Sequence, residues 1–225
     1  MQYHWLNKNN NENLIIFFSG WSFDYRALSF LKAEDFDVLC VYDYTEISPF
    51  EHQFPNYKFV NLIAWSMGVF AAWSVRKSLP GLSKKIAING TPCPIEDKFG
   101  IPEKIFKMTL DNLNLSVLEK FRKNMFSNEE EYGNFIKNTP CPDFENSKQE
   151  LINLEQTIKA SKETYSDFYD YAIISGRDKI FPYKNQLRFW EERAKIIKLD
   201  CGHFPFGQFK SWNDILNNAD QHGNN

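Results

Sequence analysis

A strand-turn-helix signal at residues 60–72 constrains the fold of this chain more than any other stretch. An apolar run is followed by Ala64-Trp65-Ser66-Met67-Gly68, and an alanine-rich, helix-forming segment comes next. A serine between small residues at such a turn is typical of a nucleophile elbow, which raises the serine on a sharp bend at the end of a strand. The first small position holds Ala64 instead of the usual glycine. We therefore predict that Ser66 is a nucleophile; the alternative is a buried serine at a helix start.

Strands and helices alternate in the two outer parts of the chain. Predicted strands lie at 14–18, 36–42, 60–65, 85–89, 171–174 and 196–199, and predicted helices lie at 25–33, 67–79, 182–193 and 208–217. The strands are continuously apolar, which is typical of strands buried on both faces of a parallel sheet. This alternation predicts an α/β protein.

The middle of the chain, residues 93–165, has a different character. Strand signals are absent there, and amphipathic segments at 101–110, 116–126 and 148–161 predict helices. We therefore expect an α/β-hydrolase core formed by residues 1–92 and 166–225, with a mostly parallel central sheet flanked by helices. The middle residues would form a helical lid, inserted after the sixth strand of that core.

Composition narrows the class of protein. With 225 residues, 43% of them hydrophobic, and a net charge of -3, the chain can bury one sizeable core and lacks the positive charge expected of a nucleic-acid binder. The run 14–18 is too short for a signal peptide or a membrane span. We therefore expect a cytoplasmic monomer that binds neither nucleic acid nor membranes.

The cysteines and histidines are scattered along the chain. They show no CxxC or HExxH spacing, so we expect no metal site and no cofactor. Reduced thiols are the first interpretation, and two disulfides stay open as the alternative. The residues concerned are Cys40, Cys93, Cys141, Cys201, His4, His52, His203 and His222.

A serine nucleophile needs a base and a carboxylate that orients the base. In α/β-hydrolases the carboxylate and then the histidine follow the serine, each at the carboxyl end of a strand. His203 follows a predicted strand, whereas His222 lies in a polar tail. Asp178 follows the preceding strand, and Asp200 is the rival carboxylate. Chain order favours Asp178 and His203 as triad members; the alternatives are a turn aspartate and a surface histidine.

The tetrahedral intermediate requires backbone N–H donors. One is expected from Met67, directly after the nucleophile, and the other from the loop 19–22 after the first buried strand. Gly20 permits a sharp turn there, so we predict Trp21 as the second donor. Trp21 and Trp65 are also expected to form apolar walls for the substrate, although either could be an ordinary core tryptophan.

With these motifs in place, the chain resembles the BioG-type pimeloyl-[acyl-carrier protein] methyl ester esterases. The resemblance spans most of the chain and rests on Phe-Phe-Ser-Gly-Trp (17–21), Val-Tyr-Asp-Tyr (41–44), Ala-Trp-Ser-Met-Gly-Val (64–69), Asn-Gly-Thr-Pro (89–92), Phe-Gly-Ile-Pro (99–102) and Arg-Asp-Lys-Ile-Phe (177–181). It implies a serine carboxylesterase that hydrolyses the methyl ester of pimeloyl-acyl-carrier protein to release methanol, in biotin biosynthesis. The triad carried over by motif is Ser66, Asp178 and His203.

The implied substrate predicts a docking surface for the carrier protein. Because the carrier is acidic, basic residues are expected near the entrance to the site. The first part of the lid is locally basic, and its candidate docking residues are Lys104, Lys107, Lys120, Arg122 and Lys123. The alternative is that these charges simply solvate the lid helices.

Two other functions stay open at this stage. One is a different carboxylesterase or a thioesterase on the same scaffold, because fold and triad do not determine the substrate. The other is a binding protein that kept the hydrolase shell without catalysis. A complete Ser/Asp/His set argues against the binding protein, since such a protein has no use for all three.

Overall fold

Seven strands form a single sheet in the order β1-β3-β2-β4-β5-β6-β7. The computed structural model describes residues 1–52, 54–161, 165 and 167–222. β1 runs antiparallel to β3, and all other neighbouring strands are parallel. The strands are β1 (Gln2–Asn7), β2 (Asn13–Phe18), β3 (Phe36–Tyr42), β4 (Phe59–Trp65), β5 (Lys84–Ile88), β6 (Tyr171–Ser175) and β7 (Lys195–Leu199). The predicted α/β-hydrolase fold is confirmed.

The continuous apolarity of the strands reflects burial on both faces of the sheet. In β2, Leu14, Ile16 and Phe18 face one hydrophobic cluster, while Ile15 and Phe17 face the other. Successive strand residues point to opposite faces, so a strand covered on both sides needs apolar residues throughout. Helices cover both faces: α1 (Met67–Ser74), α2 (Glu103–Asp111), α3 (Leu115–Asn124), α4 (Glu129–Asn138), α5 (Phe144–Ala160), α6 (Tyr183–Trp190) and α7 (Trp212–His222).

One strand was missed and one local prediction was wrong. The strand β1 was not predicted, because its polar and apolar residues are mixed and it pairs only at the edge of the sheet. The predicted helix at 25–33 is a single 3-10 turn, Tyr25–Leu28, which is capped by the Asp24 side chain. The local capping signal was therefore correct, but the apolar spacing after it does not continue as a helix.

The helical insertion lies between β5 and β6 and comprises α2, α3, α4 and α5. In chain order it follows the fifth strand of the sheet and not the sixth, because five strands precede it. One of its helices, α4, was not predicted. The boundaries of core and insertion expected from the sequence stay a prediction.

The parallel order of the strands brings several loops to one edge of the sheet. The loops after β2, β4, β6 and β7 all leave from carboxyl ends of parallel strands. This edge is where binding residues gather in open α/β sheets. All four cysteines are free. No helix in the described ranges is long and apolar enough to cross a membrane.

Candidate active site

Ser66 lies on a sharp bend between β4 and α1. Its backbone has φ 58° and ψ -125°, a conformation that is costly for a residue with a side chain and that clusters at functional sites. The Ser66 N–H donates to the carbonyl of Ile88, 2.9 Å away, which fixes the bend to the neighbouring strand. A side chain at Gly68 would collide with the Ser19 carbonyl, and one at Gly90 with the Ser66 carbonyl. Both glycines therefore permit the close approach that the bend requires.

The structure brings His203 and Asp178 to Ser66. His203 Nε2 lies 2.8 Å from Ser66 Oγ, and His203 Nδ1 lies 2.8 Å from Asp178 Oδ2. The side chains of His203 and Asp178 are fully buried. This is the arrangement in which a histidine can take a proton from a serine while a carboxylate holds the opposite ring nitrogen.

The carboxyl group of Asp178 is fixed by three further donors. Its Oδ1 accepts hydrogen bonds from the backbone N–H groups of Ile180 and Phe181, at 2.8 and 2.9 Å. Its Oδ2 accepts a bond of 3.0 Å from Gln186 Nε2, beside the bond to His203. Gln186, on α6, was missed by sequence reasoning, since nothing in its local pattern distinguishes it from a core residue.

The rival carboxylate points away from this site. The Asp200 side chain is 89% exposed and forms an ion pair of 3.0 Å with Arg177. The Cys201 thiol is buried beside Ser175 Oγ at 3.2 Å, and burial raises its pKa. The structure thus places Asp178, and neither of these groups, next to the imidazole of His203.

Trp65 is not placed as a wall of the substrate cavity, contrary to the sequence-based expectation. Its ring packs against aromatic residues on the other side of the sheet, including Phe23, Phe204 and Phe206. Its Nε1–H donates a bond of 2.9 Å to the carbonyl of His203. The reason is strand alternation: Trp65 points to the opposite face from Ala64. Through this bond Trp65 contacts the backbone of the loop that carries His203.

Asn89 is a second support that sequence reasoning missed. It is buried at the end of β5, and its Nδ2 donates to the His203 carbonyl at 2.9 Å and to Ser175 Oγ at 2.8 Å. Its Oδ1 accepts from the Ser175 N–H at 2.8 Å. Asn89 thereby links the ends of β5, β6 and the histidine loop. The Asn-Gly pair after a strand was the available signal, but it also fits an ordinary turn.

Trp21 and Met67, the predicted donors of backbone N–H groups, line the same cavity as Ser66. Neither group has a hydrogen-bond acceptor among the residues that the structure describes. Buried N–H groups are nearly always bonded, so two free ones beside a serine are suited to bind a developing oxyanion.

A cavity of about 460 Å³ opens from Ser66 between the core and the insertion. Its buried end is lined by Trp21, Phe106 and Leu151, and its outer part by Met108, which is 54% exposed, and by Lys120. Ser66 is itself only 2% exposed and so belongs to the buried part of this mostly apolar cavity, which suits a long acyl chain that enters with its far end first. No group of His, Cys, Asp or Glu side chains suited to a metal ion occurs within the described part of the chain.

The predicted docking residues do not share one environment. Lys104, Lys107, Lys120 and Lys123 are exposed, and Lys120 lies at the cavity. Arg122 is instead partly buried, where its guanidinium donates to Ser22, Pro142 and Ser147. Burial lowers the pKa of this guanidinium. Arg122 is therefore a tie between insertion and core and is removed from the docking set.

Lys179 was not among the predicted docking residues. It is exposed, and it lines the cavity beside Ile180. It follows Asp178 directly, and a lysine next to an acidic turn residue gave no separate signal in the sequence.

Comparison with known proteins identifies the family. A family model described as pimeloyl-ACP methyl esterase BioG matches residues 1–215. The crystal structure of BioG from Haemophilus influenzae has a TM-score of 0.88 to this chain at 32% sequence identity, and the match covers 95% of this chain and 98% of that chain. A malonyl-[acyl-carrier protein] O-methyltransferase from Bacteroides fragilis is 36% identical over 194 residues, which are 84% of this chain and 39% of that protein.

More distant structures share the fold. A bromoperoxidase from Bacillus anthracis has a TM-score of 0.62 at 12% identity, with 91% of this chain and 89% of that chain covered. The α/β-hydrolase architecture is therefore common to both, while the family match is much more specific. The chain belongs to the BioG family of pimeloyl-ACP methyl esterases, α/β-hydrolases of biotin biosynthesis.

Proposed function

We propose that Ser66, His203 and Asp178 are the catalytic triad that hydrolyses the methyl ester of pimeloyl-acyl-carrier protein. The observation that carries this proposal is the continuous hydrogen-bonded chain from Ser66 Oγ through a buried His203 to Asp178, with both links at 2.8 Å. No other member of the described site offers a nucleophile next to a base.

In the first half of the reaction, His203 Nε2 takes the proton of Ser66 as Oγ attacks the ester carbonyl. Asp178 holds the imidazole in the tautomer that can accept this proton and stabilises the imidazolium. The proton then passes to the departing methoxide, which leaves as methanol. The pimeloyl group stays on Ser66 as an acyl-enzyme.

In the second half, His203 takes a proton from water, and the resulting hydroxide attacks the acyl-enzyme. Ser66 recovers its proton from the imidazolium, and pimeloyl-acyl-carrier protein is released with a free carboxylate. In both halves the negative charge on the carbonyl oxygen is held by the N–H groups of Trp21 and Met67. Such donors act most strongly in a dry, preorganised site.

The cavity supports a particular direction of entry. The ester to be cleaved is at the far end of the acyl chain, and Ser66 is among the buried residues of the cavity, whereas Met108 and Lys120 are exposed. The acyl chain then lies along Trp21, Phe106 and Leu151, while the thioester and the carrier stay outside. Apolar contacts favour an uncharged methyl ester over the free carboxylate product, because a buried unpaired charge is costly.

We further propose that the carrier docks on the lysines around the channel mouth. The candidates kept from the sequence are Lys104, Lys107, Lys120 and Lys123, and Lys179 joins them because it lines the cavity and is exposed. Complementary charge would steer the acidic carrier to this face. We also propose that the protein acts in the cytoplasm and as a monomer; one chain supplies every residue of the proposed site.

The proposal is tested by incubating the purified protein with pimeloyl-acyl-carrier protein methyl ester and measuring the mass of the carrier. The expected result is a decrease in carrier mass equal to one CH2 unit, because hydrolysis replaces the ester methyl by hydrogen, and this decrease should be abolished in Ser66→Ala. Release of unacylated carrier would indicate a thioesterase instead. No change in mass, together with no labelling of Ser66 by a fluorophosphonate, would indicate a binding protein.

A further inference from the structure

The loop that carries the proposed oxyanion donor Trp21 contains a strained residue. Ser22 follows Trp21 and has φ 67°, a left-handed conformation that residues with side chains adopt at a cost. Such conformations persist only where the surroundings over-determine them, and they cluster where function needs a fixed geometry. The surroundings of Ser22 therefore indicate what positions the Trp21 N–H.

Every polar group of Ser22 is bound by the helical insertion. Glu150 Oε2, on α5, accepts a bond of 3.2 Å from the Ser22 N–H. Arg122, on α3, donates from Nε to Ser22 Oγ at 2.8 Å and from Nη2 to the Ser22 carbonyl at 3.3 Å. Glu150 and Arg122 of the insertion thus bind the N–H, the Oγ and the carbonyl of Ser22 in the core loop.

The insertion also fixes the side chain of Trp21. The Trp21 Nε1–H donates a bond of 2.6 Å to the carbonyl of Ser147 on α5, and its ring lies 4.5 Å from the ring of Phe121 on α3. Contacts with α3 and α5 therefore hold both the side chain of Trp21 and the residue that follows it in the chain.

Glu150 ties the other end of the same loop through Tyr44. Its Oε1 accepts a bond of 2.9 Å from the Tyr44 N–H, and the Tyr44 hydroxyl donates to the Ser19 carbonyl at 2.6 Å. Glu150 is only 2% exposed, and burial raises the pKa of its carboxyl to about 8. Keeping a carboxyl group there is costly, so the loop that it organises gives a reason for its presence.

We propose that Glu150 and Arg122 are positioning residues of the esterase: they hold Ser22 in its strained conformation and so fix the Trp21 N–H beside Ser66. This inference rests on the proposed function. It gives the insertion a second task besides covering the substrate, because the oxyanion site is complete only when α3 and α5 are docked on the core.

The test uses Glu150→Gln. A glutamine side chain has one acceptor oxygen, so only one of the N–H groups of Ser22 and Tyr44 keeps its oxygen partner. This holds whether the replaced carboxyl is protonated or ionised. The probe is p-nitrophenyl butyrate, which needs the nucleophile and the oxyanion donors but no carrier. We expect kcat to fall about 10- to 100-fold with KM changed less than about twofold. Glu145→Gln, an exposed position on the same helix, is the matched control and should behave as the wild type.

A second readout separates positioning from a loss of folded protein. An alkyl trifluoromethyl ketone forms a tetrahedral adduct on the serine whose oxyanion needs the same N–H donors. A smaller folded fraction would lower kcat but leave its Ki unchanged, whereas a displaced Trp21 N–H should raise Ki in step with the loss of kcat. Unchanged kcat and Ki in folded Glu150→Gln would overturn the proposal.

Ser22→Ala keeps the proposal testable if Glu150→Gln does not fold. It removes only the Oγ partner of Arg122, so we expect a smaller rise in Ki and a smaller fall in kcat, and wild-type values would overturn the proposal. The wild type and Ser66→Ala are measured in parallel on the same probe. An active wild type that loses activity in Ser66→Ala supports the serine mechanism independently of what Glu150 does.

Discussion

The Nε1–H of Trp65 donates a hydrogen bond of 2.9 Å to the carbonyl of His203, 138 positions later in the chain. The residue directly before the nucleophile thus holds the loop of the base. Trp65→Phe would remove this bond while keeping an aromatic ring. Because a displacement of about 1 Å can cost about 100-fold in rate, we expect kcat on p-nitrophenyl butyrate to fall by about one order of magnitude with KM little changed.

Trp73→Phe is the control for this prediction. Trp73 is equally buried, but its Nε1–H has no hydrogen-bond partner among the described residues. Its removal therefore loses ring area without losing a bond to the site. Equal losses of kcat in the two variants would show that a smaller ring, and not the bond to His203, is responsible.

The three residues of the proposed triad could be selected from the sequence because each stands just after an apolar strand, in an order typical of the fold. Ser66, Asp178 and His203 needed no knowledge of contacts between distant parts of the chain. Asn89 and Gln186 could not be found in this way, since Asn89 reaches a carbonyl 114 positions away and Gln186 reaches Asp178 only after α6 has packed.

Two residue assignments failed although a signal was present. Arg122 lies four residues after the buried Leu118, so both are on the same face of α3 and Arg122 faces the core. Trp65 follows Ala64 in a strand and must point to the opposite face of the sheet. Positive charge alone grouped Arg122 with the exposed lysines. Helix periodicity would have placed Arg122 on the buried face of α3, and strand alternation would have placed Trp65 on the face of the sheet away from the cavity.

The alanine in place of the first glycine of the elbow should be neutral for catalysis. Ala64 is fully buried in β4 between Phe18 and Ala87, while the close approaches at the bend involve Gly68 and Gly90. Ala64→Gly would lose a buried methyl group and gain backbone freedom in the unfolded chain. We expect a loss of about 1–2 kcal/mol in the free energy of unfolding, measured with urea, and an unchanged kcat. A lower kcat, measured under conditions where the variant is fully folded, would show that the methyl group of Ala64 shapes the elbow.

Stability should depend on pH through Glu150. Burial raises the pKa of its carboxyl from 4.5 to about 8, so the folded state keeps a proton that the unfolded chain has already released in this range. The contribution of Glu150 to the free energy of unfolding is therefore largest below pH 4.5 and is lost as the pH rises through about 8. The slope for one proton is at most about 1.4 kcal/mol per pH unit.

Glu150→Gln lacks this titration and provides the comparison. Urea denaturation of both proteins at several pH values between about 5 and 8.5 should show the wild type losing stability relative to the variant as the pH rises. Parallel curves for the two proteins would mean that the carboxyl titrates alike in the folded and unfolded states.

Carrier docking should be separable from ester chemistry at the channel mouth. Lys120 and Lys179 line the outer part of the cavity and are exposed. Reversing both charges in Lys120→Glu/Lys179→Glu should raise KM for pimeloyl-acyl-carrier protein methyl ester about 10-fold or more, because the acidic carrier would be repelled. The kcat on p-nitrophenyl butyrate should stay within about twofold of the wild type, since the triad is untouched.

Salt dependence and a matched lysine complete this test. Lys148, on α5, is exposed and does not line the cavity, so Lys148→Glu should leave KM for the carrier substrate near the wild-type value. Raising ionic strength from about 0.05 to 0.5 M shortens the range of charge interactions and should raise KM of the wild type more than that of the double variant. If Lys148→Glu raises KM as much as the double variant does, total charge governs the encounter and the lysines at the mouth have no special position in docking.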